Sequence, residues 1–136
     1  MRIERTADID EVMKCLPYER EIRKKGRDRT READTILFVQ SQLENPLFGF
    51  WVAYDDKDNT VGYCCAFLSL VPGMKYLHLF RLYAKDKILK KEFENILDAW
   101  AREFKIKIAH ITVFKNIKAL KKQHFMPVSI NMERRI

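Results

Sequence analysis

The spacing of apolar residues changes along this chain in a way that separates helices from strands. Met1–Arg5 reads as a short strand. Asp8 and Glu11 then stand at capping-box spacing, with Ile9, Val12, Met13 and Leu16 forming a helical stripe up to Pro17. The basic run at 20–31 (REIRKKGRDRTR), interrupted by Gly26, reads as a loop or frayed helix. Ala33, Ile36, Leu37, Val39, Gln40 and Leu43 define a second amphipathic helix, ended by Asn45-Pro46. From Phe48 the period is two: Phe48, Phe50, Val52 and Tyr54 alternate with Gly49, Trp51 and Ala53, and a polar turn at 55–60 predicts a hairpin. Val61–Val71 is almost continuously apolar, which predicts a central strand covered on both faces. Pro72-Gly73 turns the chain into a third strand, Lys75–Ala84, with His78, Phe80 and Leu82 expected on one face and Leu79, Arg81 and Tyr83 on the other.

Helical spacing returns after Asp86, a candidate cap, with Ile88, Leu89, Phe93, Ile96, Leu97, Trp100, Ala101 and Phe104 on one face. Ile106–Phe114 is β-branched and strand-like, Asn116–Gln123 a short basic helix, His124–Pro127 a turn, and Val128–Arg134 a last alternating strand. At 136 residues this is one domain, 1–136, and 47% hydrophobic residues supply a packed core, so disorder is not expected. No run approaches the roughly 20 apolar residues of a membrane span, and the first twenty positions mix charges throughout, so a soluble, cytoplasmic protein without membrane contact is expected. Cys15, Cys64 and Cys65 form an odd set that reads as buried, reduced thiols.

The net charge of +7 is patchy. Residues 20–31 carry +5, residues 85–136 carry +7, and the remainder sums to −5. Such patches favour anionic partners, whether nucleic acid, acidic protein or a phosphorylated cofactor, and select none of them. Motifs narrow the chemistry by exclusion. With only Gly26, Gly49, Gly62 and Gly73, neither a Walker A loop nor a GxGxxG turn can be written. The chain has no CxxC, HExxH or EF-hand loop, its three histidines are scattered, and no metal site is expected. No GxSxG elbow supports a hydrolase triad.

The order β, α, α, three antiparallel strands, long helix, strand, short helix, strand resembles the GNAT (Gcn5-related N-acetyltransferase) family over nearly the whole chain. Particular residues carry the resemblance. Met1–Asp10 looks like the family's opening strand and helix cap, and Phe50–Tyr54 followed by Val61-Gly62-Tyr63 looks like its hairpin. Leu77-His78-Leu79 and Leu82-Tyr83-Ala84 stand where its cofactor-binding strand runs into a pyrophosphate loop. Asn116 and Ala119 match the opening of its penultimate helix, and the terminal HFMPVSINMERRI resembles its closing turn and strand. The resemblance implies an α+β fold with a mixed, mostly antiparallel central sheet and helices on both faces.

It also implies an activity, transfer of an acetyl group from acetyl-CoA to an amine acceptor, with the cofactor held by Leu82, Tyr83, Ala84, Lys85, Lys87, Ile88, Leu89, Lys90 and Asn116. The family's glycine-bearing loop is replaced here by Lys85–Glu92, where lysines would offer charge in place of amides while Asp86 would repel a diphosphate. The position of the family's thiolate-protonating tyrosine is Leu120, and its "GF" glycine is His124. The strand Lys75–Ala84 has no carboxylate to act as base, leaving His78 and Tyr83 as the titratable substitutes. Two readings stay open. One is the N-acetyltransferase; the other is a catalytically silent GNAT-fold binding or assembly protein, of a kind resembling glycine-poor bacteriophage versions, that docks an anionic protein partner through its basic patches. Nucleic-acid binding would accompany either and rests on charge alone.

Overall fold

The computed structural model describes residues 1–26 and 31–111. The chain opens with β1 (Arg2–Arg5), α1 (Ile9–Met13), α2 (Leu16–Gly26) and α3 (Glu32–Gln42). Three longer strands follow, β2 (Phe48–Tyr54), β3 (Thr60–Val71) and β4 (Met74–Ala84), then α4 (Lys87–Glu103) and β5 (Ala109–Ile111). They form one sheet in the order β1-β2-β3-β4-β5. The pairs from β1 to β4 are antiparallel, whereas β5 lies parallel to β4, with Leu77–Leu79 beside Ala109–Ile111. A parallel neighbour needs a crossover, and α4 supplies it. This is the mixed, mostly antiparallel sheet expected from the element order. The expected helix at 116–123, turn at 124–127 and strand at 128–134 lie outside the described residues, as does the predicted strand beyond Ile111.

Both faces of the sheet are covered, and the period of two sorts side chains between them. Phe48, Phe50, Val52 and Tyr54 of β2 pack with Val12, Cys15 and Val39 beneath α1–α3, while Trp51 and Ala53 face α4 with Leu89, Phe93, Leu97 and Trp100. The continuous apolar run of β3 has the same cause: Cys64 belongs to the α4 core and Cys65 to the α1–α3 core, each fully buried. Leu89 and Phe93 are also completely buried, and each contributes about 1.5–3 kcal/mol of apolar transfer free energy. Asp86 caps α4 as its sequence position predicted, its carboxylate accepting from the Leu89 amide at 2.8 Å. At the other end Lys105 adopts a left-handed φ of 57°, and the Ile106 amide donates back to the Ala101 carbonyl at 3.0 Å.

Three local expectations are corrected. Pro17 does not close the first helix. α1 stops at Met13, and Pro17 lies in the first turn of α2, where its missing N–H removes no helical bond. Of the two readings of the basic run, the loop falls and the helix holds as far as Gly26: residues 20–26 belong to α2, whose Tyr18 and Ile22 pack on the sheet. Ile88 is not on the buried stripe of α4: it is 71% exposed, because the core face passes through Leu89 and Phe93 instead.

Candidate functional site

The strand β4 carries most of the predicted site residues, and its geometry is set by a bulge. Cys65 of β3 pairs with Arg81 and Ala66 with Leu79, which leaves Phe80 as an extra residue. One extra residue reverses the side-chain alternation beyond it. Leu77, Leu79, Leu82 and Ala84 therefore all face α4, whereas His78, Phe80, Arg81 and Tyr83 face α1–α3. The strict alternation read from the sequence is corrected: Leu82 leaves the face of His78, and Tyr83 joins it. His78 stacks on Phe67 with ring centroids 4.6 Å apart, and Tyr83 stacks on Tyr18 of α2 at 4.5 Å. Four residues of strand separate the two, a span of roughly 13–16 Å, so they cannot share a proton directly.

At its C-terminal end β4 runs straight into α4. Gly62 of β3 permits this approach, since a Cβ there would stand 2.5 Å from the Tyr83 carbonyl oxygen and 2.9 Å from Leu89 Cδ2. Lys85, Lys87 and Ile88 are exposed around the first turn of the helix, and Lys90 lies 4.0 Å from Glu94. The Leu89 side chain is wholly buried in the α4 core, and its amide donates to the Asp86 carboxylate. Asn116 lies outside the described residues. Among the described residues, β5 pairs only with Leu77–Leu79, and no other strand pairs with that edge of β4 from Phe80 to Ala84.

Opposite β4, α2 supplies residues that sequence reasoning did not single out. Glu19 is a buried carboxylate, 6% exposed, that accepts from the Tyr63 hydroxyl at 2.5 Å and from Arg81 Nε at 3.1 Å to both oxygens. Arg23 approaches it at 3.7 Å and donates to Thr35 Oγ1 at 3.1 Å. Burial and the neighbouring Glu19 charge push the Tyr63 phenol far above its usual range. A cavity of about 30 Å³ adjoins this cluster, bordered by Cys15, Glu19, Thr35, Tyr63 and Arg81, with room for a water molecule. One signal was present in the sequence: Arg81 is a charge in the interior of a largely apolar strand and, once buried, requires a counterion.

Tyr83 is also held from α2. Partial desolvation, and then the charge and hydrogen bond of Glu21, raise its phenol above the ordinary value, so it stays protonated at neutral pH. The basic run reads differently in three dimensions. Arg20 pairs with Glu32 at 3.1 Å, Arg23 with Glu19, Lys25 with Glu21 at 2.8 Å and Arg31 with Asp34 at 3.5 Å. Most of its described charge is thus offset by acids of α2 and α3. Among the described residues no cluster of three or more His, Cys, Asp or Glu forms a metal site, and no helix is long and apolar enough to cross a membrane.

No protein-family model matches the chain, and no curated protein matches it in sequence. Solved structures do. A predicted acetyltransferase from Clostridium acetobutylicum, solved with acetyl-CoA, superposes with a TM-score of 0.76 at 14% identity, over 98% of this chain and 95% of that one. A GCN5-related N-acetyltransferase from Ralstonia eutropha gives 0.75 at 15% identity, over 99% and 97% of the two chains. A ribosomal-protein-alanine N-acetyltransferase from Brucella melitensis biovar Abortus gives 0.67 at 14% identity, over the full length of both. The fold is that of the GNAT-type acetyltransferases.

Proposed function

We propose that this protein is an N-acetyltransferase that moves an acetyl group from acetyl-CoA to an amine. The observation that carries the reading is the edge of β4 from Phe80 to Ala84, which leads directly into the first turn of α4 in a fold shared with a structure solved with acetyl-CoA. When bound, acetyl-CoA supplies the thioester. The backbone of Leu82–Ala84 offers N–H and C=O groups to a pantetheine arm, while the exposed Lys85 and Lys87 offer charge to a diphosphate. Tyr83, held protonated beside Glu21, is the group suited to donate a proton to the departing thiolate. His78 stacks on Phe67 five positions upstream along the strand, too far from Tyr83 to serve the same acyl carbon, so it takes no proton-transfer role in this reading.

Calorimetric titration with acetyl-CoA tests this. Micromolar binding, followed by amine-dependent release of the CoA thiol, is expected; no heat at millimolar ligand in a folded sample would overturn it. One observation favours the second reading, a silent GNAT-fold module that docks an anionic partner. The Asp86 carboxylate sits on the Leu89 amide, where it repels a diphosphate, and the chain has no glycine after Gly73 to open the loop. That reading expects no acetyl-CoA binding, so the same titration separates the two.

A further inference from the structure

Building on the acyl-transfer reading, we propose that Glu19 and Arg81 are positioning residues that hold the β4 bulge in shape and tie α2 to the strand offered to the acyl donor. The guanidinium of Arg81 does two jobs with one planar group. Its Nε donates to both oxygens of Glu19 at 3.1 Å, and its Nη1 donates to the carbonyl of Phe80, the bulge residue, also at 3.1 Å. The same group lies 4.5 Å over the Phe80 ring.

Glu19 is fixed in turn from two directions. The Tyr63 hydroxyl reaches it from β3 at 2.5 Å, and Arg23 approaches from one turn further along α2. One carboxylate therefore joins α2, β3 and β4 at the point where β4 departs from regular pairing. Stability alone is a weak reason for this arrangement, since a buried ion pair gives little net advantage over apolar residues of the same size. Its distinctive product is direction: the Phe80 carbonyl, at the residue left out of the β3–β4 register, accepts from a side chain that is itself anchored to Glu19, and the backbone that continues to Ala84 is oriented with it. A lysine keeps the charge but lacks the fork that serves Glu19 and Phe80 together.

The test compares the full-length chain with Arg81→Lys and Tyr63→Phe, reading the melting temperature, the affinity for acetyl-CoA and amide hydrogen exchange at Phe80–Leu82. Arg81→Lys is expected to speed exchange at these amides at least tenfold relative to Val52 and Ala53, and to weaken acetyl-CoA binding at least tenfold. Tyr63→Phe removes a bond to Glu19 but leaves the Arg81 bridge, so it is expected to lower the melting temperature while keeping affinity within twofold. The proposal is overturned if Arg81→Lys leaves exchange at Phe80–Leu82 unchanged, or if exchange and affinity in both variants follow melting temperature alone. Should the wild-type chain bind no acetyl-CoA, the acyl-transfer reading fails, and exchange at Phe80–Leu82 by itself decides whether the pair holds the bulge.

Discussion

Replacing Gly62 by alanine tests whether β3, the end of β4 and the start of α4 are as closely fitted as the structure shows. The new methyl would lie 2.5 Å from the Tyr83 carbonyl oxygen, 2.9 Å from Leu89 Cδ2 and 3.3 Å from Ala84 Cα. A relaxed carbon-to-oxygen contact is about 3.3 Å, so the first overlap is about 0.8 Å. Neither neighbour yields easily. The Tyr83 carbonyl belongs to a ladder in which Gly62 pairs with Ala84 and Tyr63 with Tyr83, and Leu89 is fully buried. Overpacking costs roughly 1–3 kcal/mol and sometimes more, and two fixed neighbours place this site near the upper end, about 3 kcal/mol. For a chain of this length that corresponds to a fall in melting temperature of roughly 10 °C. Thermal and urea unfolding followed by circular dichroism would measure it. A loss below about 0.5 kcal/mol would refute the reasoning, because it would mean the strands part freely where Cβ intrudes.

Three further outcomes are expected. Asp86→Asn keeps a capping oxygen for the Leu89 amide but removes the charge, so stability should change by less than about 1 kcal/mol while acetyl-CoA affinity rises several-fold; unchanged affinity by calorimetry would show that no phosphate sits at this helix end. Lys105→Gly relieves a left-handed φ of 57° at the end of α4 and should stabilise the protein by about 0.5–1 kcal/mol in urea unfolding, whereas a loss would mean the lysine side chain itself holds the turn. Burial drives the Cys15 thiol up to about 12 and raises Cys64 and Cys65 as well, so at pH 8 all three should resist a thiol reagent in the folded protein and react on unfolding. Rapid labelling of the native chain would contradict that burial, and its absence keeps the CoA-release assay free of background.

How far the chain can be read differs between its fold and its site. The hairpin of β2 and β3 and the two-sided burial of β3 follow from residue spacing, and the Asp86 cap from its position before an apolar stripe. The faces of β4 do not, since a single bulged residue at Phe80 reverses them and no residue in KYLHLFRLYA announces where the ladder slips. Pro17 was ambiguous for a related reason. It fits after the end of one helix or inside the first turn of the next, and packing of α2 on the sheet decides between them.

The candidate site was legible only in outline. The ends of β4 and α4 could be located, together with Lys85, Lys87 and Tyr83, but the carboxylate nearest the strand was sought on β4 and is delivered by Glu19, 62 residues away from Arg81 in the chain. The basic run reads from its own residues as a net-positive patch, and only the fold shows that Glu19, Glu32 and Asp34 from outside it also lie against its cations. Local alternation and capping by themselves located the strands β2, β3 and β4 and the helices α3 and α4, and the two-sided burial of β3, because those depend on neighbours within a few residues. The register of β4, the partner of each buried charge and the faces shared by His78 and Tyr83 were decided by the tertiary structure, because each depends on contacts between segments that only folding brings together.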